Sequence, residues 1–280
     1  MIGRDVTGRD ETGGASDDGA RRRPALPLVP RTALALVLAS VAGGIAFTWP
    51  LLVAPTSGLA HGTDAPLVLA AVLVAVMVVV LVALGERGID VKAVALLGLL
   101  SAVGAVLRPL SAGTAGIELV FTVIVLGGRV LGPGFGFALG STTLFTSALL
   151  TGGVGPWLPF QMLGASWVGL GAGLLPGAVR GRREVGLLAG YGIVAALAFG
   201  LAMNLSFWPF QLGGGTGLSF VAGDPVVDNL RRFALYSAAT SLGWDVGRAI
   251  TTAVGIALVG RPVLAALRRT AGRAGFGPPA

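Results

Sequence analysis

The chain has no cysteine, a single histidine (His61) and a single lysine (Lys92) in 280 residues. Each absence removes a class of chemistry. Without thiols there is no disulfide, no iron–sulfur cluster, no thiolate zinc site and no cysteine nucleophile. One histidine excludes a multi-histidine metal centre, and His61 is expected to be an ordinary solvated side chain. Val91 precedes Lys92, so the Gly-Lys step of a phosphate loop is missing and the chain carries no standard P-loop ATPase. Charge is also scarce: 12% of residues are charged, against about 25% in an ordinary soluble domain. Aromatics make up only 7%.

What fills the space is Leu, Val, Ala, Ile and 46 glycines, with 54% of residues hydrophobic. So few charges do not solvate the surface of a soluble domain of this length. The fold class expected is an all-α polytopic membrane protein, because long apolar runs without strand alternation pair their backbone groups only as helices. Eight transmembrane helices are predicted, at residues 32–54, 66–84, 91–107, 116–131, 134–150, 159–179, 186–207 and 233–259. Residues 1–31 read as a disordered cytoplasmic tail. Arg21-Arg22-Arg23 raises a twin-arginine signal. The apolar run that follows, 32–54, is 23 residues long, longer than the roughly 7–15 of a cleaved signal. It is therefore read as a retained first span.

The distribution of positive charge fits that count. With the N-terminus in the cytosol, eight crossings put Arg4, Arg9, Arg21, Arg22, Arg23, Arg31, Arg87, Lys92, Arg129, Arg180, Arg182, Arg183, Arg261, Arg268, Arg269 and Arg273 inside. Only Arg108, Arg231 and Arg232 fall outside, and Arg248 lies in the last span. Both termini are expected in the cytosol of a plasma-membrane protein. The net charge of +7 then records topology and contact with anionic lipid, and nucleic acid is not an expected partner.

Polar residues in apolar spans need a reason, because burying them in the bilayer costs a few kcal/mol each. Asp245 and Arg248, three apart, pair on one helix face. They read either as a self-neutralising structural pair or as the floor of a ligand cavity, about twelve residues into the last span. Arg108 and Glu118 flank the short 109–115 loop and are placed to pair across it. The segment from Thr151 to Gln161 is rich in Gly and Pro and carries Trp157; it suits an aromatic-belt loop or a lid over an outer site. Asn204 and Trp208 end the seventh span, and the longest outer loop carries Asp224, Asp228, Asn229, Arg231 and Arg232. The candidate substrate-binding residues are Arg108, Glu118, Trp157, Gln161, Asn204, Trp208, Asp228, Asn229, Arg232 and Asp245. They converge on a site open to the outside. In the third span Gly98, Ser101, Ala102 and Ala105 form a ridge of small residues, read as bundle packing or as a docking face for another membrane subunit.

Four stretches carry a resemblance: Leu107-Arg108-Pro109, Gly128–Pro133, Thr146–Gln161 and Thr240–Ala249. From about residue 91 onward the chain resembles the S components of energy-coupling-factor transporters, most of all an actinobacterial subgroup. The resemblance implies a six-helix substrate-binding core over 91–260. Residues 32–84 add a two-helix hairpin before it, and 261–280 are a basic cytoplasmic tail. It also implies a vitamin-like ligand, cobalamin-related or riboflavin-like, bound from outside without a cofactor. The implied partners are a transmembrane coupling subunit and two ABC-type ATPases, docked on the ridge from Gly98 to Ala105. Two other readings are weighed against it. A stand-alone secondary transporter would couple ions through Asp245 and Arg248, but no repeat relates the two halves. An intramembrane enzyme would need a catalytic set, and Glu118 with Asp245 is the only conceivable carboxylate pair.

Overall fold

The computed structural model describes residues 24–52, 65–85, 90–111, 116–212 and 215–276. The described residues form nine helices: α1 (Pro30–Leu52), α2 (Ala65–Gly85), α3 (Val91–Ser111), α4 (Val120–Leu131), α5 (Pro133–Thr151), α6 (Leu158–Leu174), α7 (Gly181–Gln211), α8 (Val226–Thr240) and α9 (Leu242–Ala274). Their boundaries follow local chemistry. Gly132, at φ 96°, ends α4, and Pro133 opens α5 as its first residue. Gly152, in the left-handed region at φ 66°, closes α5.

The chain is an all-helical polytopic membrane protein, but helix length alone does not establish eight crossings. Among the described residues six helices are long and apolar enough to cross a bilayer: α1, α2, α3, α5, α7 and α9. The predicted fourth span, 116–131, shrinks to the 12 residues of α4, about 18 Å against a hydrocarbon core of about 30 Å. The reason is its position. α4 packs against α3, α5, α6, α7 and α9, and eleven of its 12 residues are buried. A helix sheathed in other helices does not have to match the lipid in length. α6, at 17 residues, is likewise mostly buried.

The predicted last span, 233–259, is two helices broken at Ser241 (φ −123°, ψ −19°). Thr240, Ser241 and Gly243 meet there. The Thr240 hydroxyl donates to the Tyr236 carbonyl at 2.8 Å and the Ser241 hydroxyl to Asn204 at 3.1 Å. Side chains that bond locally compete with a continuous helix. The break corrects the depth expected for Asp245, which lies in the first turn of α9 rather than twelve residues into a span.

Around α4, the broadest contact is between α5 and α6 and the next between α7 and α9. The α1–α2 pair packs on α6 and α7. It is fastened by Trp49 Nε1 donating to the Ser206 carbonyl (3.0 Å), by Trp167 Nε1 donating to Ser40 Oγ (3.0 Å), and by Phe47 against Phe160 and Trp167. Of residues 1–31, 1–23 lie outside the described residues; Ala25 and Leu26 are buried, and α1 already begins at Pro30. Residues 261–274 continue α9, and 277–280 again lie outside the described residues.

The ridge expected on α3 divides between two faces. Gly98 and Ala102 are exposed, and a Cβ on Gly98 would meet nothing within 4 Å. Ser101 and Ala105 are buried; Ser101 Oγ lies 2.7 Å from Thr142 Oγ1 of α5.

At one end of the bundle the side chain of Glu184, 1% exposed, collects three arginines: Arg129 Nε at 2.7 Å, Arg268 Nη2 at 2.6 Å and Arg180 Nη1 at 3.6 Å. Arg129 also donates to the carbonyls of Leu175, Pro176 and Val179. This cluster ties the ends of α4 and α9 to the α6–α7 connection.

Candidate functional site

The opposite end holds a cavity of about 390 Å³. Its walls come from six places in the chain, all at that end of the bundle. The end of α3 supplies Arg108 and Pro109, and the entry to α4 supplies Gly116, Ile117 and Glu118. α5 and its exit supply Ser147, Thr151 and Gly153. The start of α6 supplies Trp157 and Gln161, α7 supplies Phe199, and the first turns of α9 supply Trp244 and Arg248.

Local structure explains how the entry to α4 becomes a wall. Gly116 adopts φ 80°, and a side chain there would collide with the backbone of Trp244. That close approach sets residues 116–118 against the start of α9, where Glu118 Oε2 accepts from Arg248 Nε at 2.5 Å. Arg248 Nη1 donates to Asp245 Oδ1 at 2.8 Å, and the guanidinium carbon lies 5.2 Å from the Phe199 ring centroid. Arg108 Nη2 donates to Gln161 Oε1 at 2.9 Å, joining α3 to α6. Two indoles, Trp157 at 45% and Trp244 at 47% exposed, flank the opening. Ser147 is fully buried, and its hydroxyl has no hydrogen-bond partner among the described residues.

Of the ten candidate residues, Arg108, Glu118, Trp157 and Gln161 line this cavity, and Asp245 stands behind Arg248. The other five do not line it. Trp208 is fully buried and donates to the Leu218 carbonyl at 2.7 Å, packed among Phe220, Phe233 and Tyr236. Asn229 is buried and bonds both backbone groups of Val221. Arg232 pairs with Asp224 at 2.6 Å and Asn229 at 3.1 Å, and Asp228 is exposed. Asn204 accepts from Ser241 at the α8–α9 corner, with its amide nitrogen unpaired among the described residues. These side chains hold a cap of 215–240 on the bundle. Within it burial pushes the Tyr236 phenol up from its ordinary range, and a hydrogen bond with Thr240 acts the other way.

Nine of the thirteen lining residues are not among the ten candidates: Pro109, Gly116, Ile117, Ser147, Thr151, Gly153, Phe199, Trp244 and Arg248, the last weighed only with Asp245 as a structural pair or a cavity floor. Ser147 and Thr151 carried a signal in their i, i+4 spacing just before Trp157. Trp244 sits beside Asp245 in one of the distinctive stretches. Phe199 has no signal in an apolar span. Among the described residues no three His, Cys, Asp or Glu side chains gather as a metal site requires.

A family model described as "ECF transporter, substrate-specific component" matches residues 92–257, from the start of α3 to the middle of α9. No curated protein and no solved structure matches the chain. The family match spans more than half of the 280 residues, and the chain therefore belongs to the substrate-specific components of ECF transporters, membrane subunits that bind substrate and work with a membrane coupling subunit and ATPases.

Proposed function

We propose that the cavity between Arg108, Glu118, Trp157, Gln161 and Arg248 is the substrate site of an importer subunit for a vitamin or related micronutrient. The observation that carries the reading is polarity along the bundle axis. The cavity lies at one end, and Arg129, Arg180 and Arg268 converge on Glu184 at the other. Arg182, Arg183, Arg261, Arg269 and Arg273 are exposed on that same α7 start and α9 end. Excess basic charge marks the cytoplasmic side, so the cavity faces out. The chain then crosses the plasma membrane eight times, with α4 and α6 as short buried crossings and both termini in the cytosol.

A cavity of about 390 Å³ lies at the small end of the range for drug-sized ligands. It favours a ligand of a few rings, of riboflavin size, over an intact cobalamin. Aromatic walls with a few placed charges suit such a compound. The energy comes from a transmembrane coupling subunit and two ABC-type ATPases, seated on the exposed face of α3 that carries Gly98 and Ala102. The α1–α2 hairpin leaves that face open, because it packs on α6 and α7.

The test is purification from cells grown in rich medium, followed by mass spectrometry of retained small molecules and titration with riboflavin and with cobalamin. Submicromolar retention of a compound, lost on Arg108→Ala, supports the reading. Uptake by the chain alone under a proton gradient, without partners, would replace it with a secondary transporter.

A further inference from the structure

Arg248 is held more firmly than a pocket arginine has to be. Its Nε is taken by Glu118, its Nη1 by Asp245, and its guanidinium carbon sits over the Phe199 ring. The two carboxylates come from different elements, one before α4 and one a turn back on α9. Asp245 is 5% exposed. It fits only because residue 200 of α7 is glycine: a Cβ there would overlap the Asp245 carboxylate. Nη2 of Arg248 makes no hydrogen bond among the described residues, although the side chain lines the cavity. The Ser147 hydroxyl, also without a partner among the described residues, lines the same cavity.

We propose that Gly200 and Asp245 are positioning residues which, with Glu118, lock the Arg248 guanidinium on the Phe199 ring and leave its Nη2 donors for the cavity. Arg248 then reads a hydrogen-bond acceptor on the ligand, such as a carbonyl, ring nitrogen or carboxylate oxygen. The proposal rests on the cavity being the substrate site, and it adds which group faces the ligand and what fixes it. A planar fork held at two of its edges loses little freedom when the third binds. The two carboxylates beside it more than offset its single positive charge. The guanidinium selects by geometry rather than by bulk attraction for any anion.

The test uses phenylglyoxal, an arginine-directed reagent, on the full chain in detergent, with peptide mapping by mass spectrometry. Exposed Arg269 is the reactive reference and buried Arg129 the control for loss of fold. In the wild type Arg248 stays unlabelled while Arg269 reacts. Asp245→Asn keeps the shape and removes the charge, and it is expected to raise Arg248 labelling about tenfold with Arg129 still protected. Gly200→Ala does the same by displacing the carboxylate. If Gly200→Ala fails to fold, Asp245→Asn decides. Labelling of Arg248 in the wild type at the rate of Arg269 overturns the clamp, as does unchanged protection in Asp245→Asn.

A second arm measures small molecules carried from yeast-extract medium through purification. Asp245→Asn and Arg248→Lys are expected to retain about a tenth of the wild-type amount; wild-type retention in both overturns the role of Arg248 in reading the ligand. If the wild type retains nothing, the cavity reading fails and takes that role with it, while the labelling result still decides whether the guanidinium is clamped.

Discussion

Gly136 of α5 and Gly169 of α6 pack backbone against backbone, and a Cβ on either would run into the carbonyl of the other. Gly128 of α4 meets the same Gly169 carbonyl, so three helices close on one point. Small residues allow this approach, and in lipid the contact is worth van der Waals packing rather than hydrophobic transfer. Gly169→Ala is expected to cost at least about 1–3 kcal/mol, the usual range for overpacking a tight interior. The backbone atoms it would strike have nowhere to go. Gly98→Ala, whose Cβ meets nothing, should leave stability unchanged. Thermal unfolding in detergent compares the two; equal melting temperatures would remove the three-helix contact from the account of the fold.

The buried cluster at the opposite end from the cavity sets a second expectation. Glu184 is shared by Arg129, almost fully buried, and Arg268, 35% exposed on its side chain. Glu184→Gln strands the Arg129 charge in the interior, at a cost of roughly 3 kcal/mol. The lower end of the range for broken buried pairs applies, because three backbone carbonyls still accept from Arg129. Arg268→Gln removes a more hydrated partner and should cost less than about 1 kcal/mol. The same unfolding measurement ranks them, and an Arg268 variant as unstable as the Glu184 variant would contradict the assigned burial.

These two ends also show what could be read from residues alone. Asp245 and Arg248 are a turn apart, and their pairing was legible because it is local. The partner expected for Glu118 was Arg108, its neighbour across a short loop. Its hydrogen bond goes to Arg248, 130 residues away. Arg108, which still feels the Glu118 charge, bonds Gln161 of α6. Periodicity and charge place residues on an element but carry no information about which element lies opposite. The helix start at Val91 was legible, and the expected 134–150 span falls one residue inside each end of Pro133–Thr151, for the converse reason that prolines, glycines and charges act on their own neighbours. The break at Ser241 was hidden, because Thr, Ser and Gly are tolerated in membrane helices and mark a corner only when their side chains find local partners.

Partner docking separates the two faces of α3. Gly98→Leu and Ala102→Leu add bulk to the exposed face without touching the bundle. Co-expressed with a coupling subunit and ATPases, each is expected to lower co-purification of those partners about tenfold, a loss of roughly 1.4 kcal/mol. Retention of small molecules should not change. Ser101→Leu, on the inward face against Thr142, should instead lower the melting temperature. Full co-purification with both outward variants would move the docking surface elsewhere.

The tryptophans give the sharpest division between site and scaffold. Of the five in the chain, Trp157 and Trp244 line the cavity and stand about half exposed. Trp208 is buried in the cap with its indole N–H on Leu218. A ring stacked on an indole gains about 0.5–1.5 kcal/mol beyond the area it buries. Trp157→Ala and Trp244→Ala are therefore each expected to weaken ligand retention roughly threefold to tenfold, at unchanged melting temperature. Trp208→Phe removes a donor from the part-buried Leu218 carbonyl and shrinks a fully buried ring, and should destabilise the fold by about 1–3 kcal/mol. Retention per mole of folded protein should nevertheless match the wild type, because the side chain does not face the cavity. Mass spectrometry of the retained compound, normalised to the folded fraction by size-exclusion chromatography, reads both effects. A Trp208 variant that folds but no longer retains ligand would place the binding surface under the 215–240 cap instead of between α3, α6 and α9.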